Sequence, residues 1–132
     1  MEELTKKQFT YRGKTLEELQ KLDVREFAKL VRARQKRAML RNFQRIEDFV
    51  NQSKVKIKKN KAVRTHHRDL VVVPEMIGWR ISVYNGNKFM PVQIISEMLG
   101  HRLGEFAPTR ARIKHSKAGV GATKGSKHKS KK

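Results

Sequence analysis

The sequence predicts an α+β domain: a small antiparallel sheet built on a β-hairpin, packed with N-terminal helices and flanked by basic extended tails. Three observations predict it. Two runs of strand character, Trp79-Arg80-Ile81-Ser82-Val83-Tyr84 and Asn87-Lys88-Phe89-Met90-Pro91-Val92-Gln93-Ile94, are joined by Asn85-Gly86. Upstream of them, apolar residues recur at helical spacing. The charge throughout is one-sided, with 32 Lys and Arg against 12 Asp and Glu, a formal net charge of +20 and a pI near 10.8.

Residues 1–14 read as a polar arm with Phe9 and Tyr11 as isolated aromatics. Residues 15–61 read as a helical region ending in a basic linker. Thr15 followed by Glu18 forms a capping box in front of Leu16, Leu19 and Leu22, which predicts a short helix. Asp23 and Glu26 repeat the device, and Val24, Phe27, Ala28 and Val31 fall at i, i+3, i+4 and i+7, the stripe of an amphipathic helix. Arg32, Arg34, Lys36, Arg37 and Arg41 at its far end suit the negative pole of the helix dipole. Met39, Phe43, Ile46 and Val50 predict a second helix over residues 38–52. In the basic run of residues 54–64, Val55 and Ile57 alternate with lysines, so a short strand and a loop are both open.

Residues 62–112 read as the α+β core. Leu70-Val71-Val72-Val73, ended by Pro74, suits a buried strand or an extended segment beneath the hairpin. Gly78 lets the backbone turn into the hairpin. There Ile81 and Val83 alternate with Arg80, Ser82 and Tyr84, a strand with one buried face. Asn85-Gly86 predicts a type I′ turn, which needs φ > 0 at both central residues. Pro91 cannot donate to a ladder, so its strand is expected at an edge or interrupted. Ser96 to Gly100 reads as a single helical turn. Residues 113–132 contain no acidic residue and only Ile113 and Val120 as sizeable aliphatics. Such a tail cannot bury enough apolar surface to order itself.

Charge of this size disfavours compactness unless a polyanion neutralises it, and nucleic acid is the obvious counter-charge. No apolar run approaches the roughly 20 residues of a spanning helix, and no signal-peptide pattern opens the chain, so no membrane role is expected. Zero Cys excludes a disulfide framework and a thiolate zinc site. His66 and His67 would point to opposite faces of a strand, and His101, His115 and His128 are scattered, so no metal is expected. Gly100 and Gly104 do not lie between a strand and a helix, so no nucleotide-cofactor loop is expected either. A nuclease using His67 with Asp69 or Glu75 lacks a nucleophile–base–orienter spacing, and Asp69 beside Arg68 reads as an ion pair. The chain is expected not to be an enzyme. Glu105 reads as a loop-holding residue beside Arg102 or Arg110. Trp79, Tyr84 and Phe89 read as packing residues, with stacking on RNA bases as the alternative.

Asn85-Gly86-Asn87, then Ile94, Leu99-Gly100, Leu103-Gly104-Glu105-Phe106 and Thr109 at fixed spacing, resemble the small-subunit ribosomal protein nineteen family. Val73-Pro74-Glu75-Met76-Ile77-Gly78 is similar to the segment that family places before the hairpin. The likeness runs over residues 64–112, and the long N-terminal region resembles the archaeal and eukaryotic long form. Trp79 departs from it, standing where a small or polar residue, often His, is expected. Asn87 also takes a commonly basic position, with Lys88 following. The resemblance implies a structural protein of the small-subunit head, cytoplasmic in the ribosome. It would bind small-subunit rRNA beside ribosomal protein thirteen of that subunit, its tail reaching the decoding region and tRNA. A free-standing RNA chaperone or DNA-compacting protein is the alternative that composition allows. The candidate RNA-binding residues before the core are Arg32, Arg34, Lys36, Arg37, Arg41, Lys58, Lys59 and Lys61. Within it they are Arg64, His66, His67, Arg68, Lys88, His101, Arg102, Arg110 and Arg112. The tail adds Lys114, His115, Lys117 and Lys124.

Overall fold

The computed structural model describes residues 8–112. The tail candidates Lys114, His115, Lys117 and Lys124 lie outside the described residues. Two short strands, β1 (Thr10–Tyr11) and β2 (Lys14–Thr15), pair antiparallel where the composition suggests only an arm. Arg12 and Gly13 join them with φ of 51° and 78°. Both central residues are thus left-handed, the type I′ geometry. Tyr11 packs on Phe27, ring centroids 5.9 Å apart, so this hairpin lies over the helices.

Helix α1 (Leu16–Gln20) starts where the capping box predicts, the Glu18 carboxylate accepting the Thr15 N–H at 3.0 Å. Glu26 accepts the Asp23 N–H at 3.4 Å in front of α2 (Val24–Ala28). Val24, Phe27, Ala28 and Val31 are all buried, as their stripe requires. The helix they predict is nevertheless broken. The backbone extends at Arg32 before α3 (Ala33–Arg41), and Asn42 separates α3 from α4 (Phe43–Lys58). The breaks have a packing reason. In one straight helix Phe27 and Met39 would stand about 18 Å apart along the axis; here both are fully buried in one core.

Helix α4 also corrects the reading of residues 54–64. Ile46, Val50 and Ser53 are buried along one face, and the helix continues through the apparent strand, leaving Val55 51% exposed. Asn60 ends it in the left-handed region, φ 51°. The Lys61 N–H donates to the Lys56 carbonyl and the Asn60 N–H to the Ile57 carbonyl, the paired bonds of a Schellman cap.

The cap turns the chain into β3 (Val63–Thr65), which lies beside β4 (Arg80–Tyr84), itself paired with β5 (Phe89–Gln93). The β4–β5 pair is antiparallel, as expected, but β3 runs parallel to β4. The sheet is therefore mixed. A parallel pairing needs a long crossover, and residues 66–79 supply it. Pro91 sits in β5, at the sheet edge.

The hairpin turn departs from type I′. Tyr84 pairs with Phe89, so residues 85–88 form the loop, and only Gly86 has positive φ, 95°. Asn85 instead folds the loop with its side chain, Oδ1 accepting the N–H groups of Asn87 and Lys88 at 3.0 and 2.8 Å. This is an Asx turn.

Val63, Ile81, Val83 and Val92 form the inner sheet face and pack with Phe27, Met39, Ile46 and Val50. Leu70 to Val73 are buried and extended, but they hydrogen-bond to the segment after the hairpin rather than to the sheet. The Val72 N–H donates to the His101 carbonyl, the Gly100 N–H to Val72 and the Leu103 N–H to Leu70. The turns Pro74–Met76, Ser96–Met98 and Leu103–Phe106 are 3-10 helices. At Gly104 a Cβ would stand 2.9 Å from both the Cβ and the carbonyl oxygen of Arg68. Gly104→Ala should therefore lower the unfolding free energy by about 1–3 kcal/mol in urea titration; an unchanged midpoint would show that this approach is not tight.

Candidate nucleic-acid interface

The outer face of the sheet follows from strand alternation. Arg80, Ser82 and Tyr84 point away from the core because Ile81 and Val83 point into it. The register places Arg64 beside Ser82, Ser82 beside Pro91, and Tyr84 beside Phe89. His66 continues the outer row, its ring centroid 4.6 Å from Tyr84 and 5.1 Å from Phe89. The Arg64 guanidinium lies over the Phe89 ring, 5.5 Å from its centroid. Trp79 packs against the core, as a packing residue should. Tyr84 and Phe89 do not; they pack against each other on the open face, centroids 5.1 Å apart and planes tilted by 55°.

His67 points elsewhere. Its Nδ1 lies 2.9 Å from Arg45 Nη2. A guanidinium has only donors, so Nδ1 accepts, and the imidazole proton sits on Nε2. Arg45 also pairs with Asp69 at 3.2 Å, so the partner of Asp69 is Arg45 and not Arg68. Between α4 and β3 opens a cleft of about 300 Å³ lined by Phe49, Gln52, Ser53, Lys56, Arg64, Thr65, His66 and His67.

Arg68 is half-buried and spent on structure. Its Nη1 donates to the Tyr84 carbonyl and its Nη2 to those of Gly104 and Ala107, all at 2.7 Å. These bonds join the end of β4 to the last 3-10 turn. Glu105 does hold its loop beside Arg102, through the Arg102 backbone: its carboxylate accepts from His101 Nδ1 at 2.8 Å and from the Arg102 N–H at 3.4 Å. Glu75 pairs with Lys54, tying the Pro74 turn to α4.

The remaining candidates fall into separate groups. Arg32, Arg34, Lys36, Arg37 and Arg41 are exposed on α3 and at its N-cap. Arg34, Arg37 and Arg41 share one face with Leu40, which is 49% exposed. Lys58, Lys59 and Lys61 are exposed around the end of α4, and Lys88 in the hairpin loop. His101, Arg110 and Arg112 are exposed, and Arg102 is half-buried. Three cations join these surfaces without having been singled out. Arg80 was legible from its alternation with Ile81; Lys56 and Arg45 needed the packing of α4.

Acidic residues are sparse on this side. None occurs between Asp48 and Asp69 or between Glu75 and Glu97. Such a surface can bind phosphates by charge and by forked guanidinium contacts.

Comparison with known proteins finds the family model described as Ribosomal protein S19 matching residues 32–115. The small ribosomal subunit protein uS19 of Methanococcoides burtonii is 44% identical over 122 residues, covering 92% of this chain and 88% of the relative.

The two neighbouring arginines should separate structure from binding. Arg68→Ala should cost about 2–3 kcal/mol of stability, because three carbonyls lose a charged donor. Arg64→Ala should stay within about 0.5 kcal/mol of the parent while weakening RNA binding. Urea unfolding and filter binding on both variants check this; equal stability losses would contradict the assignment.

Proposed function

We propose, given that the chain belongs to the ribosomal protein S19 family, that it is a structural constituent of the small ribosomal subunit and binds its rRNA. The observation that carries this reading is a relative of that name, matched over most of both chains. The charge supports it independently. The positions proposed to contact rRNA are the exposed arginines of α3, Lys58 to Lys61, the outer sheet face around Arg64 and His66, and His101 to Arg112. Arg68 acts as their positioning residue. Contacts would be mainly to phosphate and sugar, so shape and charge rather than base sequence would set affinity.

The role proposed is non-catalytic. His67 and Asp69 both bind Arg45, an arrangement that holds the crossover to α4 and accounts for both side chains structurally. The finer placement extends the reading from the resemblance: the subunit head, ribosomal protein thirteen as neighbour, and the tail near tRNA and the decoding region, in cytoplasmic ribosomes.

Affinity for a small-subunit rRNA fragment should fall steeply with salt, log K against log[salt] sloping by about −0.7 to −0.9 per phosphate neutralised. A flat slope would remove the phosphate-contact model. In sedimented cell extract the chain should co-migrate stoichiometrically with small subunits; a chaperone or DNA-compacting protein would not. Removing residues 116–132 should leave the melting temperature unchanged and impair contacts with tRNA or the decoding region. A drop of several degrees would make those residues part of the fold.

A further inference from the structure

We propose that the outer face of the sheet holds one unpaired RNA base against His66 and Arg64, with the adjoining phosphate in the α4–β3 cleft beside Lys56 and His67. This rests on the rRNA-binding reading and adds that part of the site prefers single-stranded RNA. The aromatic row His66–Tyr84–Phe89 runs from just past the end of β3 across β4 to β5 and lies on the side away from the core. Aromatic residues that serve packing belong on the inner face, where Val63, Ile81 and Val92 already fill the space. On the outer face Tyr84 and Phe89 are half-buried, and the groups covering them, His66 and Arg64, are exposed. They form a floor beneath two planar groups of the kind on which unstacked bases lie.

The geometry fixes both groups. Arg64 is held over the Phe89 ring, and His66 meets the same ring edge-on, 75° between planes. These contacts bias both exposed side chains towards the face that a base would cover. The cleft supplies the anion site. With Nδ1 of His67 turned to Arg45, Nε2 is left as its donor, and Lys56 and Gln52 line the opposite wall. A duplex keeps its bases stacked inside and offers only backbone to such a face.

The test uses the full chain with a short ribo-oligonucleotide carrying one 2-aminopurine, and with an RNA duplex of equal length, at fixed salt. His66→Ala removes an exposed ring. Arg64→Lys keeps the charge and loses the plane. Each should weaken the single strand about tenfold, within the range for losing a stacked base, and weaken the duplex, which engages the same residues only through its backbone, by a clearly smaller factor. The 2-aminopurine fluorescence should change on binding the parent and not the variants. Equal losses on both RNAs, or no loss on either, would overturn the base site while leaving phosphate binding intact. If the parent bound neither RNA with salt dependence, the broader rRNA reading would fail instead.

Discussion

The guanidinium of Arg68 donates to three carbonyls from two separate segments of the fold, those of Tyr84, Gly104 and Ala107. Its backbone carbonyl accepts the Gly104 N–H at 2.9 Å, and that approach is open only because Gly104 lacks a side chain. Next to it, Val71 bridges Arg102 and Leu70 accepts from Leu103. One residue thus ties the crossover, the end of the hairpin and the last 3-10 turn together. Ordering irregular backbone costs roughly 1–2 kcal/mol per residue, and residues 94–107 contain only short turns. Fixing them to Arg68 gives His101 and Arg102 defined positions beside the sheet.

Among the described residues only three cations pair with acids, none of them an Arg or Lys of α3, the end of α4 or the outer sheet face. Asp69 pairs with Arg45, Glu75 with Lys54 and Glu105 with His101, each joining two segments of the fold. Being partly exposed, such pairs add at most about 1 kcal/mol apiece. Their value is positional: Arg45 sets the tautomer of His67, and Glu105 turns the His101 ring. What is left over is the surplus of Lys and Arg on α3, the end of α4 and the outer sheet face. That surplus opposes folding through self-repulsion, and a polyanion relieves it.

Much of the framework was legible in the chain itself. Both acidic boxes, the Val24-to-Val31 stripe, the β4–β5 pair and the edge position of Pro91 follow from local chemistry. What escaped depends on contacts distant in sequence. The alternation of Val55 and Ile57 with lysines imitates a strand, but α4, already nucleated, propagates through it because each added residue gains a bond. The type I′ turn occurs at Arg12-Gly13, between Tyr11 and Lys14, whereas Asn85 spends its side chain on a four-residue loop. Nothing local tells Arg68 from Arg64. Pairing with β4 puts Arg64 on the outer face, and only the tertiary fold brings three carbonyls to Arg68.

Crosslinks from this chain to rRNA in purified small subunits test the central claim most directly. They should fall on the α3 arginines, on Arg64 and His66, and on residues 101–112, with none on the acidic first turns of α1 and α2. A map confined to α1 and α2, or free protein that never enters the subunit, would contradict it.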